Sequence, residues 1–182
     1  MVTVDSSLLQ SGEIEVVGRL VHASNASLFC RIRNSENECH AIYKPIAGER
    51  PLWDFPDGNL ASREVATYLA SETLDLNCVP LTILREGPFG LGSVQYWIDD
   101  VEDVGERYSD RSAGLRKIAL LDAVVNNTDR KIGHLLYKGD QIFGCDHGVT
   151  RTCDIKHLTC LGSNMGCSLV IEQGHSFFTA SE

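Results

Sequence analysis

No apolar run in this chain of 182 residues approaches the roughly 18 residues of a membrane span. The start, Met1-Val2-Thr3-Val4-Asp5, has neither the basic region nor the long apolar stretch of an export signal, so a cytoplasmic protein is expected. Basic residues are not in excess. Sixteen Lys and Arg stand against 25 Asp and Glu, a formal net charge of -9, which argues against a broad surface for nucleic acid or anionic lipid. Cys-x-x-Cys pairs are absent as well. The seven cysteines are odd in number and irregularly spaced, so they read as reduced thiols and not as a disulfide framework. With no internal repeat, low-complexity tract or obvious linker, the chain reads as one compact unit at this length.

What is present begins with a 43% hydrophobic fraction, enough for a core. Ile14, Val16 and Val17, then Leu28 to Ile32, then Cys39 to Tyr43, alternate with polar turns at 23–27 and 34–37 and predict an antiparallel three-strand meander. Lys44 follows directly on the third strand. After a turn-rich stretch from Gly48 to Gly58, Val65, Tyr68, Leu69 and Leu74 predict a partly buried helix over 60–74, with Glu64 on its first turn. Two further strands are expected at Val79–Leu84 and Ser93–Ile98, separated by a turn from Gly87 to Gly92. From Ser112, the residues Leu115, Ile118, Ala119, Ala123 and Val124 predict a helix leading into Asn126-Asn127-Thr128-Asp129.

Beyond that loop, Leu135–Tyr137 and Gln141–Gly144 read as a hairpin turned by Lys138-Gly139-Asp140. Such a hairpin brings the loop before it, with Asp129, close to the loop after it, with Asp146. Phosphoryl transfer needs that arrangement, with one carboxylate beside the attacking hydroxyl and another on the metal that bridges the nucleotide phosphates. Each part alone has an ordinary explanation. Asp129-Arg130 is a turn former, Asp146-His147-Gly148 ends a strand, Lys44 is a solvated charge, Glu64 a helix-start charge and Trp97 a core residue. The weight lies in their order along the chain.

Residues from about Gly18 to Val149 resemble the phosphatidylinositol 3/4-kinase-like family, in particular its small actinobacterial members. The resemblance rests on Ile42-Tyr43-Lys44-Pro45, the Gly48 to Gly58 stretch, Arg63-Glu64-Val65-Ala66, Gly92-Ser93-Val94-Gln95, Asn126 to Arg130 and Cys145-Asp146-His147-Gly148. It implies an α+β, protein-kinase-like two-lobed fold, with an antiparallel N-lobe sheet over residues 1–98, a reduced C-lobe over 99–149 and a divergent tail over 150–182. Lys44 would contact the ATP phosphates and pair with Glu64, Asp129 would be the catalytic-loop aspartate, and Asp146 would bind Mg2+. Ser24, Asn25 and Ser27 would stand in for the phosphate-covering loop. Gln95, Trp97 and Ile98 would form the hinge at the adenine.

Two features depart from the pattern. Where protein kinases place a metal-binding asparagine after the catalytic aspartate, this chain has His134, which favours one metal or tolerance of Mn2+. After Val149 the sequence gives only a Cys-, Ser- and Gly-rich tail, short for a kinase lobe, so a truncated or frame-altered end is expected. The resulting expectation is an ATP-dependent phosphotransferase acting on a lipid, protein or small-molecule hydroxyl. The competitors are a nucleotide-binding pseudokinase and a small zinc-binding interaction protein using Cys153, His157, Cys160 and Cys167.

Overall fold

The computed structural model describes residues 6–20, 25–50, 58–102 and 112–150, together with the backbone of 169–172 and 175–178. Strands β1 (Glu13–Arg19), β2 (Leu28–Arg33) and β3 (Glu38–Pro45) form the expected meander. Strands β4 (Thr82–Gly87) and β5 (Gly90–Tyr96) complete a five-stranded antiparallel sheet of order β1-β2-β3-β5-β4. Among the described residues it is accompanied by α1 (Ser6–Ser11), α2 (Leu60–Thr73) and α3 (Ala113–Val125). The hairpin β6 (Leu135–Lys138) and β7 (Gln141–Gly144) follows α3, and β8 (Leu169–Glu172) pairs with β9 (His175–Phe178). The chain is thus α+β with mostly antiparallel sheet. Among the described residues no helix is long and apolar enough to cross a membrane.

Alternation along a strand sorts the sheet into two faces. Ala41 and Tyr43 of β3 join Cys30, Ile32 and Val94 in one buried cluster, closed by Leu8 and Leu9 of α1. That helix was not expected, because Ser6–Ser11 is too short for an apolar period to show. The opposite face of β3 carries His40, Ile42 and Lys44, with Phe29 and Gln95 on either side of Ile42. Helix α2 packs on β4 and β5. A second cluster gathers Ile118, Leu121 and Val125 of α3, Tyr137 and Ile142 of the hairpin, and Leu76, Cys78 and Val79 from the segment after α2.

The fourth and fifth strands are displaced from the expected Val79–Leu84 and Ser93–Ile98. Pairing runs out to Gly87 opposite Gly90, so the turn is only Pro88-Phe89, with Gly90 at φ +90°. The glycines that looked like a long turn belong to strands that pass close to β3. A Cβ on Gly92 would sit 2.5 Å from the Lys44 carbonyl oxygen and 2.7 Å from Pro45 Cα. The Tyr43 ring fills the space beside Gly87 and Gly92, and its hydroxyl donates to the Gly90 carbonyl at 2.5 Å.

Candidate functional site

Lys44 lies near the end of β3, past the last pair with β2, with its backbone held against β5 in register with Ser93. Helix α2 begins beside it for two local reasons. Asn59 caps the helix by accepting from the Ser62 amide at 2.7 Å, and the Glu49 carboxylate takes the Leu60 and Ala61 amides, each at 2.8 Å. A side-chain acceptor and a negative charge at that end satisfy free N–H groups and oppose the helix dipole favourably. Glu64, one turn in, is almost fully buried. The Lys44 ammonium donates to Glu64 Oε1 at 2.5 Å and to Asp146 Oδ1 at 3.0 Å. Burial works against the charge on Lys44, but the two carboxylates outweigh it and hold its pKa above the ordinary lysine value.

Asp146 is the half-exposed member of the trio, its side chain retaining 54% of its surface. Burial raises its pKa, yet Lys44, with help from the nearby histidines, brings it below the ordinary carboxylate value. Its loop is pinned on both sides, Gly144 N–H donating to the Cys78 carbonyl at 2.8 Å and Cys145 N–H to the His134 carbonyl at 3.0 Å. Asp146 itself adopts φ +60°, a left-handed conformation that costs a non-glycine residue energy. His134 Nε2 lies 3.4 Å from Asp146 Oδ2. Burial holds the His134 pKa below its ordinary value, and its buried Nδ1 has no hydrogen-bond partner among the described residues.

The Asp129 loop is built at the end of α3. Asn126 caps the helix in the left-handed region at φ +52°, and Asn127 turns back to Asp122 through its backbone and side-chain N–H groups, each at 2.8 Å. The Asn127 side chain then receives the Asp129 amide at 3.1 Å. The Asp129 carboxylate is half-exposed and accepts from Lys131 Nζ at 2.8 Å. That hydrogen bond raises the Lys131 pKa.

Sequence reasoning placed Asp129, Lys44, Glu64, Asp146 and His134 in one site; of these, Glu64 meets Lys44, Lys44 meets Asp146 and His134 lies beside Asp146. Asp129 sits on the neighbouring loop with Lys131. The other expectations have different placements. Gln95 is buried, its amide donating to Thr82 Oγ1 at 2.8 Å. Trp97 follows β5, its N–H donating to the His40 carbonyl at 3.0 Å, and meets the Phe29 ring edge-on at 5.1 Å. Ile98 lines a cavity of about 610 Å3 shared with Tyr68, Leu76 and Tyr96. The Asn25 side chain accepts from the Arg50 amide at 3.0 Å, and Ser27 is buried. Ser24 and the Cys153, His157, Cys160 and Cys167 set lie outside the described residues.

Two groups escaped the sequence. Phe29 and His40, with ring centroids 5.0 Å apart, share the sheet face of Lys44 and extend the Trp97 contact into an aromatic row. Strand alternation was the signal that would have found them. Arg130 and His147 were quoted only as motif members, and their link to Asp122 across the end of α3 left no trace in spacing.

Among the described residues no three His, Cys, Asp or Glu side chains converge as a ready-made metal site. Asp146 and His134, with Oδ2 and Nε2 3.4 Å apart, are two donors that could hold a divalent ion.

No family model matches the chain. It is similar, at 38% identity over 80% of its length, to Protein Rv2133c of Mycobacterium tuberculosis (strain ATCC 25618 / H37Rv). The match covers 66% of that relative, so the chain spans a little under two thirds of the protein it resembles.

Proposed function

We propose that this chain is an ATP-dependent phosphotransferase of the phosphatidylinositol 3/4-kinase-like type, built as a two-lobed, protein-kinase-like unit. The reading rests on Lys44, whose ammonium joins a buried helix glutamate to the aspartate after a hairpin. That arrangement supports the reading, because nucleotide phosphates require a fixed positive charge of this kind. Asp129, half-exposed at the end of α3, orients the acceptor hydroxyl and receives its proton. Asp146 and His134 would hold a divalent ion, Mg2+ or Mn2+, which when bound neutralises phosphate charge. The aromatic row of Phe29, His40 and Trp97 gives the base of the nucleotide a surface on the Lys44 face of the sheet.

ATP-dependent thermal stabilisation and γ-phosphoryl transfer to a panel of lipid, peptide and small alcohol acceptors test this reading. The wild-type protein is expected to be stabilised by ATP and to turn over at least one acceptor class, and Lys44→Ala and Asp146→Ala to lose turnover by about 100-fold or more. Stabilisation without turnover on any acceptor would leave a nucleotide-binding pseudokinase. No stabilisation by nucleotide would end both readings.

A further inference from the structure

Arg130 makes more polar contacts than any catalytic candidate, and the phosphotransfer reading gives it no role. Its side chain is mostly buried and forks onto Asp122, with Nε 2.9 Å from Oδ2 and one terminal nitrogen 2.7 Å from Oδ1. The other terminal nitrogen donates to the Cys145 carbonyl at 2.8 Å. The nitrogen that meets Asp122 Oδ1 also lies 2.6 Å from His147 Nε2. A guanidinium only donates, so His147 Nε2 accepts and the ring carries its proton on Nδ1. The sequence leaves room for this arrangement. A Cβ on Gly144 would fall 3.2 Å from both Arg130 Nη2 and His147 Nε2, closer than ordinary packing allows.

One planar group thus touches three pieces of chain. It sits next to Asp129 in sequence, it grips α3 through Asp122, and it holds the residues on both sides of Asp146. Resting on the phosphotransfer reading above, we infer that Arg130 is a positioning residue, whose guanidinium fixes the loop of Asp129 against the loop of Asp146 and so sets how the two carboxylates face a shared substrate. A lysine cannot replace it, because a single ammonium lacks the rigid fork that meets a carboxylate, a carbonyl and an imidazole together. Displacement of a reacting group by an ångström costs about 100-fold in rate, so the effect belongs in turnover more than in binding.

Arg130→Lys tests this, because it keeps a positive charge beside buried Asp122; Asp122→Asn, which loosens the same fork from the other side, is the second variant. Backbone hydrogen exchange of the nucleotide-free protein is read first. Both variants are expected to raise exchange in residues 126–131 and 144–148 together by about tenfold, while the five-stranded sheet is unchanged. In nitrogen NMR the wild-type His147 should show a protonated Nδ1 and an accepting Nε2, a signature that Arg130→Lys removes. Kinetics then read the consequence: KM for ATP within about threefold and kcat down about 100-fold. If only one loop loosens, or KM for ATP rises while kcat is unchanged, the positioning role is overturned. Should the wild-type protein bind no nucleotide, the phosphotransfer reading falls, and the exchange pattern alone still decides whether Arg130 ties the loops.

Discussion

The Lys44–Glu64 contact shows what a single residue contributes here. Glu64 is buried and the Lys44 ammonium is its charged partner in the described residues, so removing the lysine strands the glutamate, whereas removing Glu64 leaves Lys44 paired with Asp146. Lys44→Met should therefore cost about 3–5 kcal/mol in urea unfolding, and Glu64→Ala should cost less. The histidines set the pH response. His147 is held well below its ordinary value of 6.5, chiefly by burial and then by the Arg130 and Lys44 charges, and His134 shifts the same way. The unfolded chain therefore takes up protons that the folded chain refuses. Their contribution is complete above about pH 6.5 and shrinks as the pH falls below it. The urea midpoint should drop between pH 7 and 5, and His147→Gln should flatten that slope. Asp146, with its pKa lowered from the ordinary 3.8, acts in a separate window, its contribution present above that value and lost as the pH falls through it and beyond. Lys44, Glu64 and Asp146 drew notice in the sequence through their order along the chain, since each alone reads as an ordinary surface or turn charge. Arg130 and His147 did not, because a buried polar network depends on which side chains meet in space.

At the scale of elements, the meander, α2, α3 and the hairpin were readable from apolar period and turn residues. The β4–β5 pair was displaced because its glycines serve close approach and not a turn. Gly92→Ala would press a methyl group against the Lys44 carbonyl and the Tyr43 ring, and should cost about 1–3 kcal/mol measured by thermal unfolding. The start of α2 gives a second test. Asn59→Ala should cost about 1 kcal/mol, and Glu49→Gln should weaken the same helix end because its carboxylate meets two free amides. Since Glu64 lies on the following turn, both changes should, on the proposed reading, reduce nucleotide stabilisation without altering Lys44 or Asp146, and fluorescence of Trp97 in a Trp53→Phe background would follow that loss.

Across the whole molecule, two apolar clusters carry the fold, one beneath the sheet and one around α3 and the hairpin. The site draws Lys44 from a strand whose other face lies in the first, and Asp146 from the loop after a hairpin strand that packs in the second. Leu121→Ala and Val94→Ala each remove a fully buried side chain from a different cluster. Leucine loss should cost about 2–5 kcal/mol, and both variants should shift one common denaturant transition, because the site couples the clusters.

Asp146 already has a resident cation. The Lys44 ammonium occupies one carboxylate oxygen, and a divalent ion arriving without phosphates must compete with a charge that cannot diffuse away. On the phosphotransfer reading proposed above, nucleotide would draw the ammonium onto its phosphates and so release the carboxylate for metal. Manganese titration followed by electron paramagnetic resonance should find weak binding to the nucleotide-free protein, tighter binding after Lys44→Met, and metal uptake coupled to nucleotide in the wild type. If Lys44→Met leaves manganese affinity unchanged, the ammonium is no competitor.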